Sequence, residues 1–204
     1  MKKLFAFVTS LLLSVSAHAQ SSDGFAFDQG QHYKDLGMPK TNQKVVTEYF
    51  SFYCGHCYSF EPIIAQLKQR LPQDVTLVKK PVSFMGGNMA IELSKAYVTA
   101  KELGVEDKIV ASLFETIHNK RQAPKNVHQL SQLFVSHGVS ENEFETVFSS
   151  SETLKKANLF DKDFYATKLT GVPSVVVNGK YLANAGGVKS IGEYVALIEY
   201  LLTK

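Results

Sequence analysis

The chain has 204 residues and a formal net charge of +3, with 22 basic and 19 acidic side chains. This length suits one domain, or one domain that carries a sizeable insertion. So small an excess of positive charge gives no electrostatic reason to expect nucleic acid or an anionic membrane as a partner.

The N-terminal segment has the composition of a secretory signal peptide. Lys2 and Lys3 precede an apolar run from Leu4 to Val15, and Ala17-His18-Ala19 fits a small-residue cleavage site. The run is shorter than the ~20 residues that span a bilayer, which makes a membrane anchor the weaker interpretation. We expect residues 1–19 to be removed and the mature chain to be exported.

The first strand signals lie before the cysteines. Residues 30–36 suit an edge strand, and residues 45–53 are β-branched and aromatic, which is typical of a buried strand. Because strand side chains alternate between faces, Glu48 shares one face with Val46, Phe50 and Phe52. The carboxylate is therefore either buried for a functional reason or at a strand edge where it reaches water.

Cys54-Gly55-His56-Cys57 follows this strand directly and opens a helix with an apolar stripe. Cys54 and Cys57 are the only cysteines in the chain. As a structural disulfide, so short a ring would contribute only ~2 kcal/mol of loop entropy. A Cys-x-x-Cys at a strand-to-helix turn in a βαβ context instead indicates thioredoxin-like redox chemistry.

The position of each sulfur predicts its role. Unpaired N–H groups at the helix N-terminus favour a thiolate at Cys54, which we expect to be the exposed, reactive sulfur. Cys57 lies one turn further on, on the apolar stripe, and is expected to be its buried partner. His56 can donate to the Cys54 thiolate or, when protonated, pair with it.

The remaining histidines do not indicate a metal site, because a zinc site would need two more ligands at suitable spacing. We expect these histidines at the surface: His32, His118, His128 and His137.

Three more residues are candidates for the thiol chemistry. A buried Glu48 would exchange a proton with the inner cysteine. Lys79, on a second strand predicted at 75–84, either pairs with Glu48 or is solvated. Pro173 either begins a strand in the ordinary way or forms a cis peptide bond beside the thiols.

Between the second strand and Pro173 only helical signals occur. They predict helices at about 88–104, 106–119, 126–137 and 152–168, with a further short helix that Ser140 and Glu143 begin as a capping box.

The last part of the chain returns to strands. Residues 175–177 and 180–182 flank Asn178-Gly179, a strong hairpin signal, and Ser190 and Glu193 predict a capped C-terminal helix. We therefore predict an α/β fold in which residues 20–84 and 161–204 form one domain, and residues 85–160 form an all-helical insertion.

Taken together, these motifs resemble the DsbA family of periplasmic thiol:disulfide interchange proteins of Gram-negative bacteria. The matching segments are residues 48–54, 84–87, 171–174 and 177–181. The resemblance covers essentially the whole mature chain and implies a thioredoxin-like fold with an inserted helical domain. It also implies that Pro173 is cis, that Glu48 and Lys79 form a buried charged pair, and that a quinone-linked membrane protein reoxidises the enzyme.

One departure from the family concerns the strength of the oxidant. The family usually has Pro-His between the cysteines, whereas this chain has Gly55-His56, the pair found in protein disulfide isomerases. Glycine lacks the fixed φ of proline and leaves the loop less preorganised. The redox potential therefore does not follow from the family resemblance.

The sequence thus predicts a periplasmic thiol:disulfide oxidoreductase that introduces disulfide bonds into unfolded exported proteins. Its redox group would be the Cys54–Cys57 disulfide, with no further cofactor, and it would act as a monomer. Phe84, Met85 and Val172 are expected to contact substrate, although core packing is an equal alternative for Phe84. The alternative functions are a disulfide isomerase or reductase of the same compartment and a non-catalytic chaperone.

Overall fold

The computed structural model describes residues 25–204, and the predicted signal peptide lies outside this range. Five strands form one sheet in the order β1-β5-β4-β2-β3. Their bounds are β1 (Tyr33–Asp35), β2 (Lys44–Phe50), β3 (Val75–Pro81), β4 (Ser174–Val177) and β5 (Tyr181–Ala183). Only the β2–β3 pair is parallel.

Seven α-helices accompany the sheet within the described range. Their bounds are α1 (Gly55–Arg70), α2 (Ala90–Glu102), α3 (Glu106–Phe114), α4 (Val127–Ser136), α5 (Glu141–Phe148), α6 (Ser151–Ala166) and α7 (Ile191–Thr203). Helices α2 to α6 all lie between β3 and β4, as the helical signals indicate, and α6 runs continuously through residue 160. None of the helices between residues 25 and 204 combines the length and apolar character needed to cross a bilayer.

The second predicted strand is shorter than expected. It was expected to extend to residue 84, but β3 ends at Pro81, which is paired with Phe50, the last residue of β2. Beyond Phe50 the chain turns into the Cys54 loop, so β3 has no neighbour with which to continue the ladder.

The structure confirms the predicted hairpin turn and one of the two predicted capping boxes. Asn178 and Gly179 have φ values of 51° and 67°, the left-handed pair that a tight β4–β5 hairpin requires. Ser140 and Glu143 form a complete capping box at α5. At α7 the box is incomplete, because the Glu193 carboxylate accepts from Lys189 N rather than from the N-cap residue.

Two apolar clusters contain alternate residues of β2, Val46 and Phe50, which lie on the same face of the sheet. One includes Val46 of β2 and the buried faces of α1 and α7. The other includes Phe50, Phe52 and both cysteines, packed against α2 to α5. The loop that carries the cysteines is therefore part of the core of the helical block.

Gly86 packs closely against the Tyr53 ring, next to the active-site loop. Its φ is +104°, and a Cβ there would lie 2.1 Å from the nearest ring atom of Tyr53, the residue before Cys54. Its neighbour Gly87 also has a positive φ, +58°, but nothing lies within 4 Å of its Cβ position.

We expect Gly86→Ala to destabilise the fold by about 3 kcal/mol, because it adds a steric overlap to the cost of a positive φ. Gly87→Ala is the matched control and should cost about 1 kcal/mol, from the backbone alone. Urea unfolding of the two variants measures the difference; equal free energies of unfolding would show that the Tyr53 ring imposes no constraint.

Candidate active site

The two cysteines lie at the turn between β2 and α1. Cys54 is the N-cap residue of α1, and its Sγ accepts a hydrogen bond from Cys57 N at 3.2 Å. Both side chains are free thiols. Cys54 is 7% exposed and Cys57 is 0% exposed. The expectation of an exposed Cys54 is therefore wrong, although Cys54 is the more accessible of the two side chains.

A loop from the second half of the chain reaches the Cys54 sulfur. The Val172–Pro173 peptide bond is cis, as the resemblance implied. The Val172 carbonyl oxygen lies 3.5 Å from Cys54 Sγ and accepts a weak hydrogen bond from the thiol. The chain before β4 therefore lies directly beside the sulfur expected to react.

Cys57 is held as a protonated thiol. Burial is the main cause that raises its pKa, and the hydrogen bond with Cys54 adds to this; a backbone hydrogen bond from Ser51 opposes both. The negative charge of Glu48 raises the pKa slightly further. The raised pKa of the Cys57 thiol fits the predicted role of Cys57 as the buried partner of a reactive Cys54.

Glu48 is buried completely at the centre of the sheet. It lies on β2 between Lys79 of β3 and Val175 of β4, and its exposed fraction is 0%. Burial raises its pKa to about 7, against the lowering effect of the Lys79 charge. The pKa of Glu48 therefore lies near neutral pH, and the Glu48 charge acts on the Cys57 thiol.

Lys79 contacts two carboxylates. Its Nζ lies 3.1 Å from Glu48 Oε2 and 2.5 Å from Glu61 Oε1, and its side chain is 10% exposed. Burial by itself would lower the Lys79 pKa, but the two carboxylates outweigh it and raise that pKa. The contact with Glu48 is an ion pair without hydrogen-bond alignment, and no residue in the range 25–204 donates a hydrogen bond to either Glu48 oxygen.

His56 points to solvent rather than to the thiols. It is exposed, and within the described part of the chain its ring forms no hydrogen bond with Cys54 or Cys57. It lies instead at the edge of a groove of about 620 Å³ that also contains Pro173. Its effect on the Cys54 thiolate remains a prediction.

The groove runs along one side of the active-site turn. Aromatic side chains supply much of its lining, those of Tyr33, Phe60 and Tyr194. Phe84 and Met85 are 44% and 36% exposed and do not line it. Phe84 stacks on Phe164, with ring centroids 5.3 Å apart.

The expectation that four histidines lie at the surface is correct for the exposed His128, wrong for His32, and only partly correct for His118 and His137, which are both half-buried. His32 is 7% exposed, because its Nδ1 accepts a hydrogen bond from Asp28 N and its ring packs on Phe27. His118 is half-buried, and its Nε2 lies 2.8 Å from the carbonyl oxygen of Phe52. Spacing along the sequence could not show this contact, because the two residues are far apart in the chain.

Comparison with known proteins agrees with this geometry. The family model described as "DSBA-like thioredoxin domain" matches residues 45–196. Thiol:disulfide interchange protein DsbA of Escherichia coli is 32% identical over 213 residues, a match that covers 100% of both chains.

Solved structures give the same result. DsbA of Klebsiella pneumoniae has a TM-score of 0.79 and 28% identity, and the match covers 89% of this chain and 100% of that one. DsbA of Proteus mirabilis, in complex with a non-covalently bound peptide, has a TM-score of 0.79 and 26% identity, over 88% and 100% of the two chains. These likenesses confirm the predicted thioredoxin-like α/β fold. The chain belongs to the DsbA family and is a protein thiol:disulfide oxidoreductase.

Proposed function

We propose that this protein is a periplasmic dithiol oxidase that transfers its Cys54–Cys57 disulfide to unfolded exported proteins. The proposal rests on the different surroundings of the two sulfurs at the start of α1. Cys54 lies at the helix N-terminus, where N–H groups stabilise a thiolate, whereas the buried Cys57 is stable only as a thiol. The signal-like composition of residues 1–19 supports export.

The reaction proceeds by two exchanges. A substrate thiolate attacks Cys54 Sγ; a substrate–Cys54 disulfide forms, the Cys54–Cys57 bond breaks, and the Cys57 sulfur takes up a proton. A second substrate thiolate then attacks the substrate sulfur of the mixed disulfide and releases Cys54 as a thiolate. The substrate loses two electrons, which the enzyme retains as its dithiol.

Glu48 is placed to supply the proton that Cys57 needs. Its pKa of about 7 keeps part of the population protonated at neutral pH, and its charge acts on Cys57. Once the proton has moved to Cys57, the positive charge of Lys79 stabilises the ionised form of Glu48. Proton exchange in a buried site of this kind is worth roughly 10²-fold in rate.

Substrate would bind beside the cis Pro173, where the groove and the reactive sulfur meet. We propose Val172 as a contact through its backbone, and Phe84 and Met85 as exposed apolar contacts. The likeness to the Proteus mirabilis DsbA–peptide complex supports binding of a peptide segment.

The proposal also includes the redox group, its reoxidation, the oligomeric state and the domain division. The redox group is the cysteine pair itself, without a bound cofactor, and a quinone-linked membrane protein would return the dithiol to the disulfide. The protein would act as a monomer. Residues 20–84 and 161–204 would form the thioredoxin-like domain around the inserted residues 85–160, a division supported by the placement of β1–β5 and α2–α5.

The two cysteine substitutions should give opposite results with oxidised glutathione. Cys57→Ser keeps the reactive thiol and removes its partner, so we expect it to accumulate a mixed disulfide that mass spectrometry detects. Cys54→Ser should form little adduct and should lose all disulfide transfer to a reduced peptide. A Cys54→Ser protein with full transfer activity would refute the proposed mechanism.

The pKa of Glu48 predicts a specific dependence of stability on pH. The folded protein keeps the proton up to about pH 7, whereas the unfolded chain releases it near pH 4.5, so stability falls between these values as pH rises. We expect Glu48→Gln to gain up to about 3 kcal/mol relative to the unsubstituted protein between pH 4.5 and pH 8. Urea unfolding of the two reduced proteins across this pH range measures the difference in their free energies of unfolding.

Glu61→Gln is the control for this test, because Glu61 contacts the same lysine but is not completely buried. The Glu48→Gln protein should also transfer its disulfide at least about tenfold more slowly, whereas Glu61→Gln should be much less affected. Parallel stability curves for Glu48→Gln and the unsubstituted protein would contradict a proton-exchanging Glu48.

A further inference from the structure

His118 joins the helical block to the active-site turn. It lies in a π-helical turn, Glu115–Asn119, that directly follows α3. Its Nε2 lies 2.8 Å from the Phe52 carbonyl oxygen, and because a carbonyl oxygen only accepts, Nε2 is the donor. Phe52 lies within the turn that leads to Cys54, so this hydrogen bond fixes the backbone on the N-terminal side of the cysteine pair.

The same π-helical turn fixes the C-terminal side of the pair. The His118 ring stacks on Tyr58, with centroids 5.3 Å apart and an interplanar angle of 6°. The Tyr58 hydroxyl accepts a hydrogen bond from Asn119 Nδ2 at 2.7 Å and lies 3.4 Å from Glu115 Oε2. Since Tyr58 follows Cys57, the turn contacts residues on both sides of the pair.

The other ring nitrogen of His118 faces the residue between the cysteines. A Cβ on Gly55 would lie 4.0 Å from His118 Nδ1, which is ordinary van der Waals distance. Gly55 has no side chain of its own to restrict the loop. The imidazole therefore lies beside the most flexible position of the active-site loop. π-helical turns are found frequently at functional sites.

We infer that His118 is a positioning residue for Cys54. Its hydrogen bond to Phe52 holds the turn in which Cys54 Sγ meets Cys57 N, the contact that stabilises the thiolate of the reduced enzyme. A loosened turn would weaken that contact and make the enzyme a poorer oxidant. This inference rests on the proposed function, since it concerns the balance between dithiol and disulfide.

The test compares three substitutions by their equilibrium with glutathione. In this reaction the enzyme dithiol loses two electrons and two protons to become the disulfide, and oxidised glutathione becomes two thiols. His118→Phe keeps a stacking ring but has no donor, and His118→Gln keeps a donor of similar reach. His128→Gln, at an exposed position of α4, is the control.

We expect His118→Phe to shift the equilibrium about fivefold toward the disulfide form, the effect of one lost hydrogen bond. His118→Gln and His128→Gln should stay within about twofold of the unsubstituted protein. The thiolate absorbance of reduced His118→Phe should also appear at higher pH. If His118→Phe does not fold, as judged by circular dichroism, His118→Leu replaces it with the same expectation.

Two outcomes would overturn the inference: a donor-free variant with an unchanged equilibrium, or a His118→Gln protein as impaired as His118→Phe. The ratios between variants are independent of the absolute potential. A potential near that of thioredoxin in the unsubstituted protein would therefore refute the proposed oxidase and leave the result on His118 readable.

Discussion

The position of Cys54 at the N-terminus of α1 is the constraint on which the site depends. Strand β2 is paired on both edges, by β3 and β4, and it ends at Phe50, so the turn that follows starts from a fixed point. Cys54 then caps the helix while Cys57 lies one turn inside the core. One short turn thus places two chemically identical side chains in different environments: Cys54 at the helix N-terminus, and Cys57 in the core, where burial raises the pKa of its thiol.

The buried Glu48 carboxylate lowers the stability of the folded protein. A completely buried Glu48 destabilises the folded state whenever it is charged, and an apolar residue at that position would pack at the centre of the sheet without this penalty. Lys79 reduces the penalty but does not remove it, because the pKa of Glu48 still rises to about 7. A carboxyl that titrates near neutral pH could supply a proton to a buried thiol, which is the role that we propose for Glu48 toward Cys57.

Local patterns predicted much of this architecture. The strand-to-helix Cys-x-x-Cys, the Asn178-Gly179 hairpin and the helical run between two groups of strands can all be read from neighbouring residues. The ion pair of Glu48 with Lys79 could be anticipated because both residues lie on predicted strands. The contacts of His118 and the end of β3 could not, because they depend on which distant segments meet.

His118 illustrates the limit most clearly. Its neighbours along the chain give no sign of a role, whereas its partners Phe52, Gly55 and Tyr58 lie in or beside the cysteine loop, far from His118 in the sequence. Glycine at position 55 lowers the rigidity expected from the loop sequence alone. In the folded protein that rigidity depends on a contact from the helical block, so the oxidising strength cannot be read from the dipeptide between the cysteines.

The redox potential of the purified mature protein, from its equilibrium with glutathione, tests the central claim most directly. The fraction of Cys54–Cys57 disulfide would be followed across a range of glutathione ratios. Known potentials are about −120 mV for a strongly oxidising DsbA, about −180 mV for protein disulfide isomerase and about −270 mV for thioredoxin. We predict a value well above that of thioredoxin, because the reduced form is stabilised at the helix N-terminus. A value close to −270 mV, in the range of thioredoxin, would contradict the oxidase and indicate a reductase on the same fold.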